Sequence, residues 1–230
     1  GLLKMDLLGL RNLTVIHDAL EMIKTNRGIA LDIEAIPHVD ELTCKMLCSG
    51  DTVGVFQSES SGFTSLLMQL EPECFEDLIP MVALYRPGPL GSGMAEDFIN
   101  RKHGKTAVDY PHPSLEAILK ETYGIILYQE QVMQIVRDLA GYSWGGSDNV
   151  RRAMAKKKLD VMEQERQNFV YGNEANGVPG CIKNGISEQT ANKIYDEMMD
   201  FAKYAFNKSH AACYAVVAYQ TAYLKVHFPV

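Results

Sequence analysis

Cysteine, long apolar stretches and positive charge are all in short supply in this sequence, and each shortage excludes something. Five cysteines among 230 residues, an odd number in no dense framework, argue against a disulfide scaffold and read as reduced thiols. Cys44 and Cys48 are the one close pair, spaced for a single helix face. No second Cys/His pair of finger or ribbon spacing completes a zinc site, so two small apolar residues in a helix account for them. The longest apolar stretch, Ala211 to Tyr219, stops at Gln220, far short of the ~20 residues a membrane-spanning helix needs. Lys and Arg number 22 against 29 Asp and Glu, a net charge of -7, and the field of the whole chain therefore repels a polyanion. What remains, 47% hydrophobic and 22% charged, is an ordinary globular composition that excludes a disordered, collagen-like or coiled-coil chain. No basic-then-apolar leader opens the sequence, and both ends read as the edges of a piece cut from a longer protein.

The patterning is mostly helical. Leu2 to Leu8 alternates in the manner of a strand, with Lys4 and Asp6 on one face and Leu3, Met5 and Leu7 on the other. After Gly9, Leu13, Ile16, Leu20 and Ile23 recur at helical spacing to about Lys24, and Gly28 closes the helix. Phe63 to Leu70, Phe75 to Leu84 and Gln129 to Ala140 read as helices, the last ended by Gly141. Thr52 to Phe56 and Gly124 to Leu127 read as short strands. Arg86, Pro87, Gly88 and Pro89 should break regular structure. Ser147 or Asp148 should cap a further helix, and two longer helices, about Ser187 to Tyr204 and Ser209 to Val226, finish the chain. No fixed-period repeat is present. The expected fold class is mainly α with short β segments, as one helical domain.

Charge is unevenly placed, which qualifies the net value. Arg151, Arg152, Lys156, Lys157 and Lys158 put five cations in eight residues with no acid among them. If Asp148 caps the helix, the arginines fall in its first turns, where the dipole makes an added cation unfavourable by a few tenths to ~1 kcal/mol. A bound anion reverses that sign, and free N–H groups with two guanidinium forks make a phosphate site. Phe206, Asn207, Lys208, Ser209 and His210 form a second cluster, in which Ser209 should cap the last helix and leave Asn207, Lys208 and His210 around its start. Ala211, Ala215, Ala218 and Ala222 give that helix a small-residue stripe for close packing. A solvated basic face and ordinary capping are the competing explanations.

Other motifs fail. Gly104, Lys105 and Thr106 look like the end of a P-loop, but the required earlier glycine falls at Ile99. Gly88, Gly91 and Gly93 make no dinucleotide fingerprint, and His103, His112 and His227 have no triad arrangement around them. Asp6 alone is an incomplete ligand set for a hard cation.

Several segments together carry a likeness. KMDLLGLR (Lys4 to Arg11), YRPGPL (Tyr85 to Leu90), YGIILYQEQ (Tyr123 to Gln131), RRAMAKKK (Arg151 to Lys158) and FNKSH (Phe206 to His210), leading into Tyr219, Gln220 and Thr221, follow one another along the chain. In that order they resemble the bacterial DNA polymerase III alpha subunits, the C-family replicative polymerases, and the final helix is closer to the DnaE type than to PolC. The resemblance implies that residues 1–10 end a palm domain and 11–230 are the fingers domain. It further implies template-directed, Mg2+-dependent addition of deoxynucleotides to a primer 3' end, two metal ions being held by three palm aspartates. Asp6 matches one of the three as catalytic metal ligand; the other two belong to an Asp-x-Asp motif that the family places upstream, so the fragment alone should not polymerise. Lys4, Arg151, Arg152 and Lys156 are implied as grips on the triphosphate, with Asn207, Lys208, Ser209 and His210 completing the nucleotide pocket. The implied partners are primer–template DNA, the incoming dNTP, the upstream palm and, through other regions, replisome subunits such as the sliding clamp, in the bacterial cytoplasm with no membrane. Ala155 departs from the glycine of many relatives. Arg86 is left to meet template, primer or neighbouring protein. The alternatives are a non-catalytic nucleic-acid or anion-binding module, and a helical interaction domain whose charges are surface.

Overall fold

The structure, a computed structural model, describes residues 9–156, 159–202 and 204–229. The expected opening strand with Lys4 and Asp6, and Lys157 and Lys158 of the basic segment, lie outside those residues. Among the described residues there are twelve α-helices and no strand, only two isolated bridges, Tyr128 with Phe206 and Asn173 with Val178. The mainly helical class stands. The chain forms two compact units, one from residues up to Met81 together with those from Ala212 onward, the other Val82–Ala211.

In the first unit, α1 (Arg11–Arg27) buries Ile16 and Ile23 and ends at Gly28, whose φ of 68° is the left-handed conformation that the turn requires. Leu13 on the same helix stays 53% exposed, so the buried stripe is narrower than the periodicity suggests. Helix α2 (Glu41–Ser49) starts where Asp40 accepts from Thr43 N at 2.8 Å, and α3 (Ser61–Leu70) where Ser60 caps it. The strand expected at Thr52 to Phe56 is a pair of turns, Val55 N to Thr52 O and Ser58 N to Val55 O, each 3.0 Å. Gly54, at φ 81°, turns a run of apolar residues too short to pair with anything. His227 Nε2 lies 2.9 Å from the Asp40 carboxylate, so this histidine supports a helix cap. Ile16, Ile23, Phe56, Val217, Ala218 and Leu224 are this unit's apolar centre.

Helix α4 (Leu78–Leu84) ends before Tyr85 and Arg86, and there regular structure breaks as expected. It resumes sooner than the prolines suggest, because Pro87 opens the single-turn α5 (Pro87–Gly91) at a first helical position, where no N–H is needed. Then come α6 (Met94–Lys102), α7 (Glu116–Leu119), α8 (Gln129–Ala140), α9 (Trp144–Ala155), α10 (Leu159–Tyr171) and α11 (Glu188–Ala202). The final helix, α12 (Lys208–His227), begins in this second unit and continues in the first. Val132, Ile135, Val136 and Leu139 repeat at i, i+3, i+4 and i+7 along α8 and are buried with Met154, Phe169, Ile194, Tyr195 and Met198. Full burial of each such aliphatic side chain contributes about 1.5–3 kcal/mol. Helices α7, α9, α10 and α11 therefore pack around α8, and the start of α8 is where the candidate site lies.

Candidate functional site

The segment YGIILYQEQ folds as a turn, one bridge residue and a helix start. Tyr123 (φ 52°) and Gly124 (φ 81°) are both left-handed, which ends the preceding turn and sends the chain out extended. Gln131 is only 3% exposed, and its Oε1 accepts from Leu127 N and Tyr128 N, both at 2.9 Å. Its Nε2 donates to Thr122 Oγ1 at 2.9 Å. One buried amide thus holds three parts of the segment. The strand expected over Gly124 to Leu127 shrinks to one parallel bridge: Phe206 N donates to Leu127 O and Gln129 N to Phe206 O, both at 2.9 Å.

That bridge delivers FNKSH to the start of α8. Asn207, not Ser209, caps α12, its Oδ1 accepting from His210 N at 2.8 Å. Ser209 is the second residue of the helix and exposed, which corrects the expected cap; two neighbouring residues could each have filled that role, and the bridge at Phe206 places the helix start one residue after Asn207. Glu130 accepts from Asn207 Nδ2 at 2.8 Å and from Lys208 N at 3.0 Å. The helix start where a bound anion was expected therefore already holds a carboxylate. Lys208 Nζ lies 2.6 Å from Glu121 and 5.5 Å from the centroid of the Tyr128 ring. His210 is exposed and packs edge-on against Phe206, centroids 5.4 Å apart.

The basic segment occupies the opposite end of its helix from the one expected. Ser143 caps α9, its Oγ accepting from Gly146 N at 3.1 Å, while Ser147 Oγ donates to Trp144 O. Asp148 lies a full turn inside and is not a cap, so Arg151 is two turns from the start and Arg152 is in the last turn, where the dipole favours a cation. Asp148 pairs with both, Oδ1 at 2.7 Å from Arg151 Nη2 and Oδ2 at 2.7 Å from Arg152 Nε. The hydrogen bond from Arg151, followed by the charges of both arginines, holds the Asp148 carboxyl below its ordinary range. Lys156 ends the helix and is exposed.

Arg151 Nη1 also donates to Gln129 Oε1 at 3.1 Å, and Gln129 Nε2 donates to Ala205 O at 3.3 Å. With the Gln129 N–H on Phe206 O, this one residue joins Arg151 to Ala205 and to the start of the 206–210 segment. Arg152 and Lys156 lie further along α9 with no direct bond to that segment among the described residues.

Sequence reasoning missed Gln129, Glu130, Glu121 and the role of Arg86. The first two lie in a quoted motif; nothing local marked Glu121. Arg86 is engaged within the chain: its Nε donates to Ala83 O at 2.8 Å, its Nη2 donates to Tyr204 O, and its guanidinium lies 4.5 Å from the centroid of Phe206. Burial pushes this guanidinium's pKa below its usual value. A Cβ on Gly88 would strike the Tyr204 ring, so YRPGPL fastens the residues leading into FNKSH.

Among the described residues no cluster of three His, Cys, Asp or Glu side chains could hold a metal ion, and no helix is long and apolar enough to cross a membrane. A family model, the bacterial DNA polymerase III alpha subunit finger domain, matches residues 12–177. DNA polymerase III subunit alpha of Escherichia coli strain K12 is 52% identical over 100% of this chain and 20% of its own length. The subunits of that name from Pseudomonas aeruginosa and Bacillus subtilis strain 168 are 51% and 47% identical over the same shares. The chain spans about a fifth of the length of the curated relatives it matches. With likeness of that depth along its whole length, and the finger-domain model lying over most of it, the chain belongs to the bacterial DNA polymerase III alpha subunit family.

Proposed function

We propose that residues 11–230 are the fingers and residues 1–10 the end of the palm of a bacterial replicative polymerase. Its full-length chain extends a primer 3' end with deoxynucleotides in template order, with Mg2+ as the divalent ion. Arg151, Arg152, Lys156, Lys208 and Lys4 bind the triphosphate of the incoming nucleotide, and Asn207, Ser209 and His210 shape the pocket around it. Asp6 supplies one metal ligand. The metal would lower the barrier to phosphoryl transfer by neutralising charge on the phosphates and activating the attacking oxygen. The described residues by themselves do not fit an ion, and this part of the reading rests on Asp6 and on carboxylates of the longer chain. Primer–template DNA, the palm and, through other regions, the sliding clamp are the partners, in the bacterial cytoplasm.

The observation that carries the reading is the Arg151–Gln129–Phe206 connection, side chain to Arg151 and backbone N–H to Phe206 O, which ties the basic helix to the FNKSH segment within one unit. Arg151 is thereby held in one rotamer before any ligand arrives, so less side-chain freedom is lost when a phosphate replaces part of its contact with Asp148.

The test uses the full-length chain. Arg151→Ala should raise KM for dNTP by about tenfold or more, the worth of one charge-assisted hydrogen bond, while affinity for primer–template changes little. An unchanged KM overturns the triphosphate assignment. Asp6→Ala should abolish incorporation with folding intact, and retained incorporation overturns the metal assignment.

A further inference from the structure

Trp144 is the one tryptophan of the chain and is 64% exposed, at the first position of α9. An indole is the largest apolar side chain available, and leaving it in water forgoes one of the largest burial gains a single residue can make. It is nevertheless held in place. The Arg137 guanidinium, on α8, lies 3.7 Å from the indole centroid and covers one ring face, and the Ser143 cap fixes the backbone beneath it. Arg137 is itself restrained, its side chain only 27% exposed and its Nη1 3.9 Å from Asp138. The next residue, Gly145, is exposed, and a Cβ built there would meet nothing within 4 Å. The result is a largely exposed π-system backed on one face by a cation.

The surrounding charge bears on what could occupy that face. Arg151 follows Trp144 by seven residues, two turns and about 10 Å along the helix axis, so both fall on one side of α9. Arg152, with a 63% exposed side chain, and exposed Lys156 continue the cationic surface. Asp138 and Asp148 are the acids facing this set among the contacts described, each already in an ion pair. An aromatic platform with cations further along the same side of the helix suits an unpaired base with its backbone running toward the cations, and base–aromatic stacking tolerates any base because every base has a π-face. The geometry points to Trp144, supported by Arg137, as a stacking platform for an unpaired nucleobase of single-stranded nucleic acid. The platform itself, Trp144 on Arg137, lies outside the triphosphate reading, although Arg151, Arg152 and Lys156 enter both.

The experiment measures binding of the full-length chain to a primer–template whose single-stranded overhang either carries bases or is abasic. Trp144→Ala should weaken binding of the base-bearing overhang about tenfold, Trp144→Phe should stay within about twofold of the parent, and all three should bind the abasic overhang alike. The emission difference between the parent and Trp144→Phe isolates this indole, and it should be quenched by the base-bearing overhang only. Equal binding of the base-bearing overhang by Trp144→Ala overturns the proposal. So does an equal loss on the abasic overhang, which would mark a structural or purely ionic role, or an effect confined to KM for dNTP, which would place the incoming base there instead.

Discussion

The basic stretch of α9 and the start of α12 carry comparable cations at opposite ends of their helices, with differently sourced counter-charges. On α9, Arg152 lies in the last turn, where the helix dipole favours it, and Asp148 comes from the same helix three and four residues earlier. On α12, Lys208 is the first residue, where the dipole disfavours a cation, and its carboxylates arrive from 78 and 87 residues earlier in the chain. Asp148 therefore stays with its arginines whatever the rest of the fold does, while Glu130 and Glu121 are tertiary ties. The arginines of α9 have a local counter-ion, whereas the counter-ion of Lys208, Glu121, and the carboxylate on its backbone N–H, Glu130, also hold the fold together. Changes at the α12 start should register first as stability, and changes at α9 first as charge.

The sharpest way to break the α12 arrangement is through its hidden support. Gln131→Leu keeps the volume but leaves Leu127 N and Tyr128 N buried without an acceptor. It should lower the unfolding free energy by about 3 kcal/mol, read from the urea midpoint at constant m. Glu130→Ala, at the surface side of the same junction, should lose about 1–2 kcal/mol. Glu130→Gln should recover part of that, because one amide oxygen can still accept from Asn207 or Lys208. If both Glu130 variants are as stable as the parent, the carboxylate is not a tie and the contrast with Asp148 disappears.

These supports show which parts of the molecule could be read from sequence. Helices α1, α3, α8, α11 and α12 were legible because each repeats apolar residues at helical spacing over several turns, and Gly28 and Gly141 punctuate two of them. The short strands were not, since four or five apolar residues read alike whether they pair or turn; Gly54 decided one case and the single bridge at Phe206 limited the other. Both helix caps were placed too late. Ser143, Ser147 and Asp148, like Asn207 and Ser209, are all competent caps, and the choice among them depends on tertiary contacts that spacing does not encode. The same holds for the site: its cations were legible as a run, but the carboxylates that meet Lys208 lie too far away in sequence to be paired with it by inspection.

The cap itself offers a smaller and cleaner comparison. Asn207→Ala removes an acceptor for His210 N and a donor to Glu130 and should destabilise by about 1 kcal/mol. Ser209→Ala, two residues further on, should stay within about 0.5 kcal/mol, as surface substitutions away from such contacts do. Reversed values would restore Ser209 as the cap.

The smallest effect should come from Asp148, and its sign is fixed by the direction of its titration. The arginines hold the folded carboxyl below its unfolded pKa, so the pairing stabilises the protein above the unfolded value and is lost as pH falls through the folded one. Asp148→Asn should therefore leave the chain slightly less stable than the parent near neutrality and equal to it in strong acid, with the two urea midpoints converging below about pH 4. Added salt should shrink the neutral-pH gap, because these ion pairs reach solvent. A gap that persists unchanged into acid would mean that Asp148 acts through its hydrogen-bonding shape instead of its charge. Its counter-ion role would then resemble that of Glu130, against the distinction drawn between the two helices.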